Sequence, residues 1–173
     1  MADVTFRGFR PEDATWLTGL HARHYAEEAG FDDSYGPLVA AILEDYLAHR
    51  DPACERAWIA QAQGRRLGSI FCVRGPEGRA RLRLFLLSPE ARGLRLGRRM
   101  LDLCLRHARD AGFAGLTLWT HESHAAAGAL CRAAGLRVVR SEPVRPFGQD
   151  LVEQTRAIDF RGRRPLAIAG VGG

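Results

Sequence analysis

Apolar and polar positions change period several times along the chain, and each change marks an element. Val4 to Arg10 alternates weakly and predicts a strand. Pro11-Glu12-Asp13 puts a proline and two acids where first-turn N–H groups lack an intrahelical acceptor. Trp16, Leu17, Leu20 and Tyr25 follow near helical spacing, and Gly30 ends this first helix. Phe31 to Pro37 reads as a loop. Leu38, Val39, Ile42, Leu43, Tyr46 and Leu47 then share one face of a second helix, which Asp51-Pro52 stops. Three strands come next. Arg56 to Gln63 carries Trp58, Ala60 and Ala62 in period two, and Leu67 to Val73 is almost wholly apolar. In Arg79 to Leu87, Leu82, Leu84 and Leu86 alternate with Arg81, Arg83 and Phe85. Gly64-Arg65 and Gly75-Pro76-Glu77-Gly78 are turn signals between them, so the three read as an antiparallel meander.

The period then lengthens. Gly97 to Ala111 is a helix burying Met100, Leu101, Cys104, Leu105, Ala108 and Ala111, with Gly112 just past its end. Leu116 to Thr120 is a short strand, and Ser123 caps a helix running to Ala134. Leu136 to Val139 and Val152 to Asp159 are the last strands. The order β-α-α-β-β-β-α-β-α-β-β predicts a mixed α/β fold. Its seven-stranded sheet is mostly antiparallel, with about four helices on both faces. Residues 1–160 read as one domain and residues 161–173 as a peripheral tail.

Composition narrows the class. Apolar residues make up 46% and charged residues 26% of the 173, which is ordinary for a globular domain. The N-terminus has no basic and apolar leader pattern, and no apolar run approaches bilayer length, so a soluble cytoplasmic protein is expected with no membrane partner. Cys54, Cys72, Cys104 and Cys131 are far apart, which predicts buried free thiols rather than zinc ligands or disulfides. His121 and His124 lack the company of a metal motif, and no metal is expected. The net charge of +5 comes from 25 basic residues, all of them Arg. They are scattered without aromatic interleaving or a reader motif, so no nucleic-acid partner is expected.

The chemistry concentrates in Leu84-Phe-Leu-Leu-Ser-Pro89-Glu-Ala-Arg92-Gly93-Leu94-Arg95-Leu96-Gly97-Arg98. A strand ends, a loop with arginines and glycines follows, and a helix begins. Backbone N–H groups at such a helix start form an anion cradle, and glycine lets a pyrophosphate approach the backbone. A tight turn without a ligand would look the same in isolation. In its context of strand, loop, amphipathic helix and closing Gly135-Leu136 turn, the segment resembles the acetyl-CoA core of the GNAT superfamily. That resemblance implies acetyl-CoA as co-substrate, with pantetheine along Phe85, Leu86 and Leu87. It places pyrophosphate on the loop headed by Arg92, comprising Gly93, Leu94, Arg95, Leu96, Gly97 and Arg98. A narrower resemblance, in His21, Tyr25, Glu28, Gly30-Phe31, Leu116 to Thr120 and Phe147 to Gln154, is to acetyltransferase domains fused behind MarR-type winged helices. A free-standing version is expected here.

The activity implied is transfer of acetyl to a primary amine of a small molecule or peptide, by direct attack in a ternary complex. The family's first loop glycine is Arg95 here, which fits only with negative φ or tolerated strain. The position of the family's acid, a tyrosine in many members, is Cys131. The fifth strand lacks the carboxylate that many relatives use as base, Trp119 standing in its place. Glu28 on the first helix is then the base candidate, with His121, Glu122 and His124 as further ones. Arg95 and Cys131 also keep a second reading open, a catalytically weak acyl-CoA-binding protein. The family leaves a homodimer open.

Overall fold

A computed structural model describes residues 3–160 of the chain. Its strands are β1 (Thr5–Gly8), β2 (Arg56–Ala62), β3 (Arg65–Arg74), β4 (Ala80–Leu87), β5 (Gly115–His121), β6 (Arg137–Val144) and β7 (Leu151–Asp159). Its helices are α1 (Ala14–Ala29), α2 (Tyr35–His49), α3 (Leu96–Asp110) and α4 (Ala125–Ala133), in the order the pattern predicts. The strands form one sheet ordered β1-β2-β3-β4-β5-β7-β6, in which only β4 and β5 run parallel. The expected tail, residues 161–173, lies outside the described residues.

Each sheet face has its own core. On one, α3 buries Leu96, Met100, Leu101, Cys104, Leu105 and Ala108 against Ile70, Cys72, Leu82, Leu116 and Leu118. On the other, Leu17 and Leu20 of α1 and Val39, Leu43 and Tyr46 of α2 pack on Phe9, Ile59, Phe71 and Leu86. All four cysteines are buried and free.

Four local expectations need correction. α2 begins at Tyr35, three residues before Leu38, because Pro37 sits in its first turn, where a missing N–H costs nothing. β6 extends to Val144 and includes Pro143, which is tolerated because β6 is the sheet's edge. α4 is preceded by His124 rather than Ser123, and no side chain caps it. The fourth correction bears on function. Leu82, Leu84 and Leu86 do not share a face, because β4 bulges at Leu84, whose φ is 46°. Ser69 faces Leu86 while Phe71 faces Arg83, so one residue of β4 is extra. Leu82 joins the α3 core, Leu84 and Leu86 join the α1–α2 core, and Phe85 and Leu87 turn to the α3 side.

Candidate functional site

The parallel pair β4–β5 is short. It is registered only at Ala80 with Leu116 and Arg81 with Thr117, after which the strands diverge. The bulge at Leu84 falls where they part, and its carbonyl accepts a hydrogen bond from Ser69 Oγ at 2.7 Å. A cavity of about 430 Å³ occupies the gap. Leu82, Leu84, Phe85, Leu118 and Thr120 form its strand walls, and Ala127, Leu130 and Cys131 of α4 close one side. The Thr120 hydroxyl is buried with no hydrogen-bond partner among the described residues.

The other side is aromatic. Tyr25 of α1, Phe31 of the following loop, Tyr35 of α2 and Phe147 of the β6–β7 turn lie with ring centres 4.9–5.2 Å apart. The wall is pinned by the Asp32 N–H donating to the Phe147 carbonyl (3.2 Å) and the Gln149 amide donating to the Gly30 carbonyl (3.0 Å). Leu38 and Ile42, expected on the packed face of α2, line this cavity instead. Leu38 is 44% exposed there.

Titratable groups ring the space. His21 is buried beneath α1 and its Nδ1 bonds the Leu17 carbonyl at 3.0 Å, which requires the proton on that nitrogen. Burial, partly offset by that bond, lowers its pKa to about 4. His121 and His124 line the cavity, 5.6 Å apart by ring centre, and burial holds both below the usual imidazole value. Burial raises the Cys131 thiol, and the nearby Arg156 cation partly opposes it. Glu28 does not line the cavity. It is half-exposed, 4.0 Å from the Arg92 guanidinium, and its charge pulls His124 and His24 upward.

The loop from Ser88 to Arg95 connects β4 to α3. Gly93 takes a φ of 82°, which suits a residue without Cβ. Arg95 is also left-handed, at φ 51° and ψ 26°, so the strain expected at that position is present, at a cost of roughly 1 kcal/mol. No side chain caps α3, leaving the first-turn N–H groups to be satisfied from outside the helix. A Cβ on Gly97 would meet Leu130 at 3.3 Å and Leu87 at 3.6 Å, so this first turn packs directly on the strand and on α4. Phe85 and Leu130, which line the cavity, thus also lie beside the first turn of α3.

The sequence matches the Acetyltransferase (GNAT) family over residues 16–136, more than half of the chain. The chain belongs to the GNAT acetyltransferase family. Solved structures share the fold at low identity. A structure of Salmonella typhimurium yncA with its cofactor acetyl-CoA is 17% identical, with a TM-score of 0.75 over 94% of this chain and 97% of that one. An N-acetyltransferase from Staphylococcus aureus is 14% identical, with a TM-score of 0.76 over 92% and 100%. A ribosomal-protein-alanine N-acetyltransferase from Brucella melitensis is 18% identical, with a TM-score of 0.72 over 90% and 99%. No curated protein matches the sequence.

Sequence reasoning missed several residues that line the cavity of this GNAT domain. Tyr35, Phe147, Arg81, Arg83 and Glu153 all line the cavity. The sharp alternation through β4 was the available signal for the two arginines, which flank Leu82 and so face away from the α3 core. Among the described residues, no three His, Cys, Asp or Glu come together as a metal-binding group.

Proposed function

We propose that the chain transfers the acetyl group of acetyl-CoA to a primary amine held in the cavity, by direct attack in a ternary complex. One observation supports this reading: the cavity lies in the gap between β4 and β5, and two of its lining residues, Phe85 and Leu130, lie beside the first turn of α3. A thioester laid along Phe85, Leu86 and Leu87 would meet an amine entering between α1 and α2. The backbone of Gly93 to Arg98, with the Arg92 and Arg98 guanidinia, would hold the pyrophosphate at the N-terminus of α3.

The balance is simple. The ammonium first gives up a proton, and the free amine attacks the carbonyl carbon. The C–N bond forms, the C–S bond breaks, the nitrogen loses its second proton, and the thiolate gains one. His124 is the base this reading assigns, since a neutral imidazole lining the cavity accepts a proton at pH 7. Glu28 acts through it, as a charge that favours the imidazolium. Cys131 sits at the sulfur end of the cavity as a packing side chain and weak acid. A thiol raised by burial holds its proton more tightly than an ordinary thiolate reclaims one, so delivery from it is uphill.

The test is the acid limb of kcat against pH, read by thiol release. Burial lowers the His124 pKa, so turnover is expected to fall only as pH drops through a value below 6.5. Glu28→Gln removes the charge that favours protonation, so the limb should move to lower pH with little change at pH 8. His124→Ala should abolish the limb and lower kcat roughly 10²-fold. An unchanged limb in His124→Ala would remove it from the reaction.

A further inference from the structure

Arg81 and Arg83 stand two apart on β4, before the bulge, and both line the cavity. Both are half-buried. Three other internal arginines meet a carboxylate, Arg7 and Arg66 reaching Asp13 at 2.8 Å and Arg79 reaching Asp159 at 2.7 Å and Glu77 at 2.9 Å, whereas Arg156 does not. Arg156, buried on β7 against α4, bonds the Gln154 side chain at 3.3 Å. Arg81 and Arg83 have no carboxylate within 4.0 Å among the described residues, and attraction from Glu153 and Asp45 reaches them only at longer range. Burial and mutual repulsion pull Arg81 down to about 10, so the two cations are held together at a cost. Burying charge without a counter-charge is unfavourable, and a ligand anion would relieve it.

The surroundings select the anion. The Arg81 guanidinium lies 3.6 Å above the centre of the Trp119 ring. That stacking leaves its planar N–H edge open to a two-oxygen acceptor. The coenzyme's phosphates are not candidates, because β4 runs four more residues past Arg83 to Leu87, roughly 13 Å, before the loop that would bind them begins. Glu153 also lines the cavity, on the strand paired with His121, while Tyr25, Phe31, Tyr35, Leu38 and Phe147 form an aromatic and apolar side that suits an apolar body. The cavity's volume of about 430 Å³ fits a molecule of amino-acid size.

We propose that the acceptor is an amino acid with an apolar or aromatic side chain, whose carboxylate is taken by Arg81 and Arg83 while its amine faces the β4–β5 gap. This rests on the acetyl-transfer reading above and adds the acceptor's class to it. A bidentate charge pair in a partly desolvated site is worth at least a factor of ten in discrimination, because the analogue lacking the carboxylate leaves both cations unpaired.

The test uses the full chain with acetyl-CoA and three matched acceptors: phenylalanine, phenylalaninamide and phenylethylamine. Thiol release is expected to give phenylalanine a kcat/KM at least 10-fold above the other two. Arg81→Gln and Arg83→Gln should each lower that value 10-fold or more, mainly through KM, and so shrink the ratio of phenylalanine to phenylethylamine turnover by a similar factor. Equal or better turnover of the two carboxylate-free amines would overturn the proposal while leaving acetyl transfer intact. Calorimetric binding of phenylalanine and phenylethylamine to the CoA-saturated protein separates the two readings. Carboxylate-selective binding that Arg81→Gln abolishes, with no thiol release from any amine, would keep this site and end the transfer reading. Binding of neither compound, or of both equally, would overturn the amino-acid assignment.

Discussion

Replacing Gly97 by aspartate is expected to remove acetyl-CoA binding, by at least roughly 100-fold in Kd, while the protein stays folded. Gly97 is the second residue of α3, and its φ is not in the left-handed region, so its backbone accepts a side chain. The tightest contact a Cβ would make is with the tip of Leu130, at 3.3 Å, and a leucine terminus can move. An acid in a helix's first turn also favours the helix dipole, which offsets part of the cost of setting it beside Leu130, Leu87 and Phe85. What changes is the charge of the cradle. Juxtaposing a carboxylate with a pyrophosphate costs several kcal/mol, and each 1.4 kcal/mol is about tenfold in affinity. Isothermal titration reads the loss directly, with Gly97→Ala as the uncharged control. Full affinity in the aspartate variant would put the phosphate site elsewhere.

The largest stability effect is expected at Asp13. Its side chain is fully buried and accepts from both Arg7 guanidinium nitrogens at 2.8 Å, from Arg66 at 2.8 Å and from the Arg10 N–H at 2.8 Å. These bonds tie β1, β3 and the start of α1 together at one atom group, and α1 carries His21 and Tyr25 into the cavity. Asp13→Ala leaves two cations without their partner in a half-buried pocket. The expected cost is roughly 3–5 kcal/mol by denaturant unfolding, and one below about 1 kcal/mol would make the cluster a surface feature. pH gives a second reading. Burial alone would raise the Asp13 pKa, but the hydrogen bonds from Arg7, Arg10 and Arg66 bring it to about 2, below the ordinary 3.8. Between these values the unfolded chain binds the proton and the folded chain does not. The cluster's stabilisation is therefore full above about pH 4 and is lost as pH falls toward 2. Asp13→Asn should flatten that part of the curve.

How much of this was legible in the sequence follows from which physics acts locally. The element order and the strand–loop–helix connection from β4 to α3 were readable because periodicity and helix-stop glycines are local signals. The first core face of α3 came out almost residue for residue, since a helix has one packed stripe. β4 was misread because a single inserted residue at Leu84 reverses every later side chain, and nothing in Arg-Leu-Arg-Leu-Phe-Leu-Leu announces the bulge. Arg81 and Arg83 precede the bulge, and their alternation with Leu82 does not by itself say that a cavity lies on their face. The aromatic wall was missed for another reason. Tyr25, Phe31, Tyr35 and Phe147 come from four separate elements, and only the tertiary fold assembles them. Glu28 was chosen by its element rather than its direction, and it lies against Arg92 outside the cavity.

The central claim is acetyl transfer to an amine across the β4–β5 gap. Its most direct measurement follows the mass of acceptor amines and the free thiol released when the protein is mixed with acetyl-CoA and a panel that includes free amino acids. One acetylated amine is expected for each thiol, strictly dependent on both substrates and absent in Gly97→Asp. Acetyl-CoA that binds and raises the melting temperature, with no amine in the panel acetylated and no amine-dependent thiol release, would contradict the account and leave a binding protein in its place.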